Sequence, residues 1–211
     1  MRKIKKLLSL ASVRATISTA ILLIPILIGW MRWPWYVNSI LLLLLGVMNA
    51  VWVYYERKKE HIRIEELLKL LVLSIWGREH SSHFRANVMM HDPKKDELKI
   101  TYRYNMEGYI DRFLKIPSNV GCAGHAFTNK RPFYVDLTKV THEKYLIDSR
   151  KVWKAMKSIL SVPVFNPDNP DEVIGVLNVD SDLDIQTVKF NDESVIITVS
   201  AYADIIGKLL W

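Results

Sequence analysis

Few residues in this sequence have side chains and spacing that suggest chemistry. Cys122 is the single cysteine in 211 residues, and His125 follows it by three positions, which places both on one face if the segment is helical. A Cys–His pair can activate a thiolate, and with His142 it could form part of a metal site. One cysteine excludes an intramolecular disulfide and a zinc site built from several cysteines. The simplest interpretation is a small, half-buried thiol beside a surface histidine.

Standard catalytic motifs are missing from the sequence. It contains no nucleotide-phosphate loop, no Ser/His/Asp arrangement, no paired metal motif and no kinase signature. We therefore predict that the chain is not an enzyme, and we assign no catalytic residue and no metal site.

Charge is distributed unevenly along the chain. The sequence carries 29 Lys and Arg against 22 Asp and Glu, a formal net charge of +7. Residues 1–63 hold ten basic and two acidic side chains, whereas residues 64–211 hold 19 and 20. Nucleic-acid binding depends on clustered Lys and Arg that face phosphates. The nearly neutral C-terminal part therefore argues against a nucleic-acid partner.

The N-terminal basic residues flank two uncharged, apolar runs at 15–31 and 33–55. A helix of about 20 apolar residues crosses a bilayer core. Lys and Arg cluster before the first run and after the second, while the link between the runs holds only Arg32. By the positive-inside rule both chain ends then face the cytoplasm. We expect a basic cytoplasmic N-terminus at 1–14 and a transmembrane helical hairpin at 15–55, embedded in the lipid bilayer of the inner (cytoplasmic) membrane.

A connecting helix is expected at 56–76. This stretch lacks Gly and Pro and repeats apolar side chains at helical spacing. It is expected to continue the second transmembrane helix without a break. Its apolar stripe can pack on the following domain and can also pair with a second copy, which predicts a homodimer or higher homo-oligomer.

The remaining residues, 77–211, predict a soluble α+β domain. Strands are expected at 83–90 and 98–104, and again at 159–165 and 173–180, as two antiparallel hairpins. Strict alternation would place Leu98, Ile100, Tyr102 and Tyr104 on one face. A short strand at 133–137 and a final helix at 192–210 complete a mostly antiparallel sheet flanked by helices.

The middle of this domain carries a motif. Gly121 and Gly124 are followed by Pro132 and by an apolar run that ends at Asp136, within LKIPSNVGCAGHAFTNKRPFYVD at 114–136. SILSVPVF at 158–165 and IGVLNVDS at 174–181 follow, and Phe190 with two acidic residues precedes the last helix. These pieces, in this order, resemble the GAF domain family over about residues 62–211.

The resemblance implies a GAF-like antiparallel sheet and a ligand-binding role. GAF domains bind cyclic nucleotides, tetrapyrroles, haem or amino acids, so the cofactor of this chain stays unknown. We place a small-molecule ligand, nucleotide-like or other, between the sheet and the 121–129 segment. The residues expected near it are Tyr102, Gly121, Cys122, His125, Asn178 and Asp180.

These features together predict a membrane-anchored cytoplasmic small-molecule sensor and signalling protein. Two alternatives stay open at this point. Two-helix anchors fused to ligand-binding domains resemble the nucleotide-activated, membrane-disrupting effectors of antiphage systems, which is an analogy of architecture. A GAF domain that binds no ligand and serves only as a dimerisation scaffold would have the same sequence features.

Overall fold

The structure is a computed structural model that describes residues 35–140 and 153–211 of the chain. The chain divides into two compact units, Met1–Lys58 and Lys59–Trp211. In the first unit the described residues are helical. The second unit contains the sheet and its own hydrophobic core.

The first described helix, α1, spans Trp35–His80. Its backbone leaves helical geometry at Gly77, where φ is 73°, a conformation that glycine adopts without steric cost. A 3₁₀ turn at Ser81–His83 then leads into the sheet. Residues 56–76 lie within this helix, which extends three residues beyond the glycine.

Within the described residues, no helix combines the length and the hydropathy that crossing a membrane requires. The predicted transmembrane hairpin is not confirmed, and its first run, 15–31, lies outside the described residues.

Six strands of the described chain form one antiparallel sheet in the order β3-β2-β1-β6-β5-β4. Each expected strand forms, and β3 is an addition that the sequence pattern did not indicate. The strands are β1 (Phe84–Asp92), β2 (Glu97–Tyr104), β3 (Lys115–Pro117), β4 (Phe133–Asp136), β5 (Ser158–Asn166) and β6 (Asn169–Ser181).

Three further helices lie in the described part of the domain. They are α2 (Gly121–Asn129), the short α3 (Ile185–Val188) and α4 (Glu193–Leu210). The carboxylate of Asp192 accepts a hydrogen bond from the backbone N–H of Ser194 and so caps the first turn of α4. The expected α+β fold, an antiparallel sheet flanked by helices, is confirmed.

The largest core lies on one face of the sheet. The C-terminal part of α1 and the helix α4 pack there against β1, β5 and β6, because these elements present apolar side chains at the period of a helix or of a strand. Its fully buried members include Leu68, Leu71, Phe84, Leu177 and Ile206. On the opposite face α2 packs against the sheet, and two smaller apolar clusters lie there.

A β-bulge in β2 alters which side chains face which core. Ile100 pairs with Met89 and Tyr102 pairs with Val88, so Thr101 is an extra residue between them. Leu98 and Ile100 consequently pack on the α2 side, whereas Tyr102 and Tyr104 pack on the α1 side. The prediction that these four residues share one face is therefore wrong beyond Ile100.

Candidate ligand-binding site

A cavity of about 70 Å³ lies between the central strands and the N-terminal end of α2. The walls are mostly apolar, and a small number of polar groups converge on them, which is the usual composition of a small-molecule site. Apolar residues of strands and loops form most of the lining: Met89, Ile100, Met106, Leu114, Ile116, Met156 and Ile159.

Sheet register brings the polar groups together. Arg85 of β1 lies opposite Asp180 of β6, and Asn87 lies opposite Asn178. Asn178 in turn lies opposite Ser161 of β5. Because side chains alternate along a strand, residues two apart on these strands point to the same face. Two polar rows therefore cross the sheet beneath the cavity.

The first row centres on a buried guanidinium. Arg85 is only 2% exposed. Its two terminal nitrogens donate to the two carboxylate oxygens of Asp111, at 3.1 and 3.0 Å, and Nη2 also donates to Oδ2 of Asp180, at 2.9 Å. The backbone N–H of Trp153 adds a third hydrogen bond to Asp111, at 3.2 Å. Bidentate pairing of this kind fixes both the charge and the orientation of an arginine.

Two aromatic rings hold the same guanidinium. Its central carbon lies 4.4 Å from the ring centroid of Trp153 and 5.1 Å from that of Tyr109, distances within the range of cation–π attraction. The remaining donor, Nε, is buried and has no hydrogen-bond partner in the described chain. Two carboxylates and two aromatic rings thus fix the Arg85 side chain in the wall of the cavity.

Burial changes the proton affinity of the site. Burial raises the pKa of Asp180, and the adjacent Arg85 cation only partly opposes this effect. For Arg85, burial by itself lowers the pKa, but the carboxylates of Asp180 and Asp111 more than compensate, so its pKa is raised above the ordinary value. The guanidinium therefore stays charged, while Asp180 holds a proton more readily than a carboxyl in water.

The second row is a hydrogen-bonded relay of neutral groups. The Ser161 hydroxyl donates to Oδ1 of Asn178 at 2.6 Å, and Nδ2 of Asn178 donates to Oδ1 of Asn87 at 2.9 Å. All three side chains are buried. This arrangement leaves the amide nitrogen of Asn87 as the donor at the end of the row, beside the cavity.

The 121–129 segment lies where the sequence analysis expected it. Gly121 begins α2 with a φ of 73°, which a side chain would strain. At Gly124 a Cβ would come within 2.5 Å of the backbone of Asn119, so the glycine permits a close approach of α2 to the preceding turn. Both glycines have a local structural role, and Gly121 also lines the cavity.

Cys122 and His125 do not form a catalytic pair in the structure. The buried Cys122 thiol donates to the carbonyl of Phe133, at 3.4 Å. His125 is exposed and stacks on the ring of Phe133, with centroids 4.8 Å apart. Burial raises the pKa of Cys122 to about 12, so the thiol is protonated at neutral pH and is a poor nucleophile.

Four of the six expected ligand-binding residues meet at the cavity: Gly121, Cys122, Asn178 and Asp180. His125 and Tyr102 do not line it. The bulge at Thr101 turns Tyr102 to the α1 side, where its hydroxyl donates to Glu60 of α1, at 2.9 Å. Burial and the Glu60 carboxylate raise the pKa of Tyr102, so it remains a hydrogen-bond donor. Tyr102 thus contacts the connecting helix and not the cavity.

Sequence reasoning missed Arg85, Asn87, Asp111 and Ser161. Arg85 and Asn87 gave no distinctive signal, because polar side chains that alternate with Phe84, Ala86 and Val88 are typical of a solvent-facing strand face. Asp111 gave no such signal, because it lies in a short 3₁₀ turn at Ile110–Phe113 and only the tertiary fold brings it to Arg85. In the described part of the chain, no cluster of three or more His, Cys, Asp or Glu side chains could hold a metal ion.

Several solved structures share the fold of this chain. The GAF domain region of a putative membrane protein from Geobacter sulfurreducens PCA aligns with a TM-score of 0.56 at 18% identity, over 75% of this chain and 97% of that one. A type II free methionine-R-sulfoxide reductase from Thermoplasma acidophilum aligns with a TM-score of 0.55 at 18% identity, over 74% and 94%. The free methionine-R-sulfoxide reductase from Neisseria meningitidis, in complex with its substrate, gives 0.50 at 20% identity, over 72% and 86%.

The chain has a GAF-like fold, as the sequence motif predicted. No protein-family model matches the sequence, and no curated protein sequence matches it. The likeness to the solved structures, at 18% to 20% identity, shows the fold alone, and a fold of this kind hosts several functions.

The prediction that the chain is not an enzyme is wrong. Free methionine-R-sulfoxide reductases are enzymes, and two of them share this fold. Missing catalytic motifs therefore do not exclude catalysis here, because chemistry on such a fold resides in the geometry of a site and not in a linear signature.

Proposed function

We propose that this chain is a membrane-anchored cytoplasmic sensor whose GAF-like domain binds a small molecule in the cavity between the sheet and α2. One observation carries the proposal. A mostly apolar cavity coincides with the point where β1, β5 and β6 bring buried polar side chains together, and α2 closes it from above. Buried polar groups that face a cavity provide the orientation and the specificity of a ligand site.

The anchoring part of the proposal rests on the sequence. The uncharged runs at 15–31 and 33–55, with basic residues at their outer ends, support a hairpin whose two ends face the cytoplasm. In the described part of the second run, apolar side chains such as Leu43, Val47 and Val51 are exposed, which suits a lipid or protein environment. The Geobacter GAF region of similar fold is described as belonging to a putative membrane protein.

Two contacts of the second unit support a route from the cavity to α1. Arg85 lines the cavity, and its neighbour Phe84 stacks on Trp76 of α1 with ring centroids 4.2 Å apart. Ile100 also lines the cavity, and Tyr102, beyond the bulge, holds Glu60 of α1. A ligand with different affinities for two arrangements of these contacts would shift the population of α1 positions. Pairing of α1 with a second copy is the proposed form of the output.

A cavity-filling variant tests ligand binding. Ala123 lies on α2 in the cavity wall and Ala201 lies exposed on α4, so Ala123→Leu fills the cavity while Ala201→Leu is a matched control. The full chain in detergent is screened by thermal shift against small metabolites. A ligand at 100 times its Kd stabilises the native state by about 2.7 kcal/mol. The melting temperature should rise for the wild type and for Ala201→Leu, but not for Ala123→Leu.

Either of two results would contradict the sensor proposal. One is a screen in which no compound raises the melting temperature, which would favour the ligand-free scaffold. The other is an equal rise in both variants, which would place binding outside the cavity. Anchoring is tested separately: full-length protein found in the soluble fraction after detergent-free lysis, or a C-terminal domain digested by protease added to intact spheroplasts, would refute the expected topology.

A further inference from the structure

The size of the cavity limits the ligand. Each water-sized group occupies about 10–15 Å³ by this measure of volume. A cavity of about 70 Å³ therefore holds about five to seven such groups. This volume suits a compound, or the inner part of a larger one, with a few carbon, nitrogen or oxygen atoms.

With both carboxyl groups ionised, the charges of the described side chains at the cavity do not balance. Among the described side chains that line it, three carry charge: Arg85, Asp111 and Asp180. All three are buried, and one guanidinium faces two carboxylates. An uncompensated charge in a protein interior costs several kcal/mol. When both carboxyl groups are ionised, the described residues at the site supply one positive charge for two negative charges.

The excess negative charge is located mainly at Asp180. Asp111 accepts two hydrogen bonds from Arg85 and one from Trp153. Asp180 accepts a single hydrogen bond, to Oδ2, so its other oxygen has no donor among the described residues. Asn178, two residues before Asp180 on the same face of β6, adds an amide oxygen. Two acceptor oxygens, one of them without a donor among the described residues, form a suitable environment for an ammonium group.

Two features of the site favour a negatively charged ligand, and both are weaker than the attraction of the Asp180 carboxylate for a cation. The N-terminus of α2 lines the cavity, and its aligned peptide dipoles amount to about half a unit of positive charge. The Nε of Arg85, a residue that lines the cavity, is a single buried donor without an acceptor in the described chain. The formal charge of the second carboxylate exceeds the dipole contribution.

We infer that the cavity binds a small monocationic amine, with its ammonium group on Asp180 and Asn178 and its short alkyl part against the surrounding methionines. This inference rests on the proposed function, because it names the ligand class of the same cavity. Met89, Met106 and Met156 provide flexible, polarisable walls that adapt to small apolar groups.

Four probes of similar size test the inference on the full chain in detergent by isothermal titration calorimetry: n-butylammonium, n-butanol, butyrate and 4-aminobutyrate. We expect n-butylammonium to bind at least about tenfold more tightly than n-butanol, a difference of about 1.4 kcal/mol. Asp180→Asn should weaken n-butylammonium about tenfold or more. Asp182→Asn, two residues further along and bonded to His83 away from the cavity, is the matched control and should leave the affinity unchanged.

The comparison among probes on the wild-type chain stands even where a variant folds poorly. Tighter binding of butyrate or 4-aminobutyrate than of n-butylammonium would overturn the inference, and so would equal binding of n-butanol. In each of these cases the cavity still binds a small molecule, so the proposed function survives. Binding of none of the four probes overturns the inference as well, and the metabolite screen with Ala123→Leu then decides the proposed function separately.

Discussion

The two carboxylates around Arg85 should contribute very differently to stability, although they lie at similar distances from the guanidinium. Asp111 accepts three hydrogen bonds, two of them from the cation. Asp111→Asn replaces one acceptor oxygen by an amide group that faces a donor. Hydrogen bonds to charged groups are worth about 1.5–3 kcal/mol each, so the loss of one to two of them should cost about 3 kcal/mol.

Asp180→Asn should cost far less. Asn keeps an oxygen that can accept the one hydrogen bond from Nη2, and the substitution removes a buried carboxylate for which the site holds no second cation. The lost ionic attraction and the relieved desolvation nearly offset each other. We expect a change within about 1 kcal/mol, and hence a difference of about 2 kcal/mol between the two variants.

Proteolysis of the full chain across a urea series reports the fraction of folded C-terminal domain and so measures the free energy of unfolding of each variant.

Thermal unfolding gives a second measurement. For a domain of about 150 residues, 1 kcal/mol corresponds to about 2–4 °C in melting temperature. Asp111→Asn should therefore melt about 6–12 °C below the wild type, and Asp180→Asn within about 4 °C of it. Equal losses in the two variants would refute the division of the site into a matched pair and an excess carboxylate.

Three further predictions follow from single contacts. Tyr102→Phe removes the hydrogen bond to Glu60 and should cost about 1 kcal/mol in the same urea series; an unchanged midpoint would show that this contact does not secure α1. Gly175→Ala places a Cβ 2.5 Å from the Met89 carbonyl oxygen, so it should cost about 2 kcal/mol and perturb the amide NMR signals of β1 and β6. Because burial raises the pKa of Asp180 in the folded state, folding favours the protonated form of this carboxyl group. The stability of the wild type should therefore fall relative to that of Asp180→Asn as the pH rises from about 4 through the folded-state pKa. Parallel curves of stability against pH for the two proteins would contradict this.

Local sequence patterns predicted most of the elements. Strands alternate and helices repeat apolar residues every three to four positions, so β1, β2, β5, β6 and α4 could be located to within a few residues. The two motif glycines lie in the first turn of α2. The three-residue β3 escaped prediction because so short a strand has no period of its own.

The face of the sheet on which a side chain lies was harder to predict than the position of the strand in the sequence. Alternation failed at Thr101, where one extra residue in β2 reverses the direction of Tyr102 and Tyr104. A bulge is stabilised by the pairing partner and by the cores on both sides of the sheet. The bulge has no signature within the strand that contains it. The sequence pattern therefore predicted Tyr102 at the ligand, whereas the structure places its hydroxyl on Glu60 of α1.

By itself the sequence determined the α+β class and the positions of most elements along the chain, because these depend on periodicity and on turn residues that act within a few positions. The GAF-like arrangement of the sheet was implied by the resemblance of the motif. Only the tertiary structure brought Arg85, Asp111 and Asp180 together, from positions that are 26 and 95 residues apart in the chain. Their association depends on strand register and on a turn between strands, and a charged group is stabilised in a protein interior only by partners that the complete fold supplies.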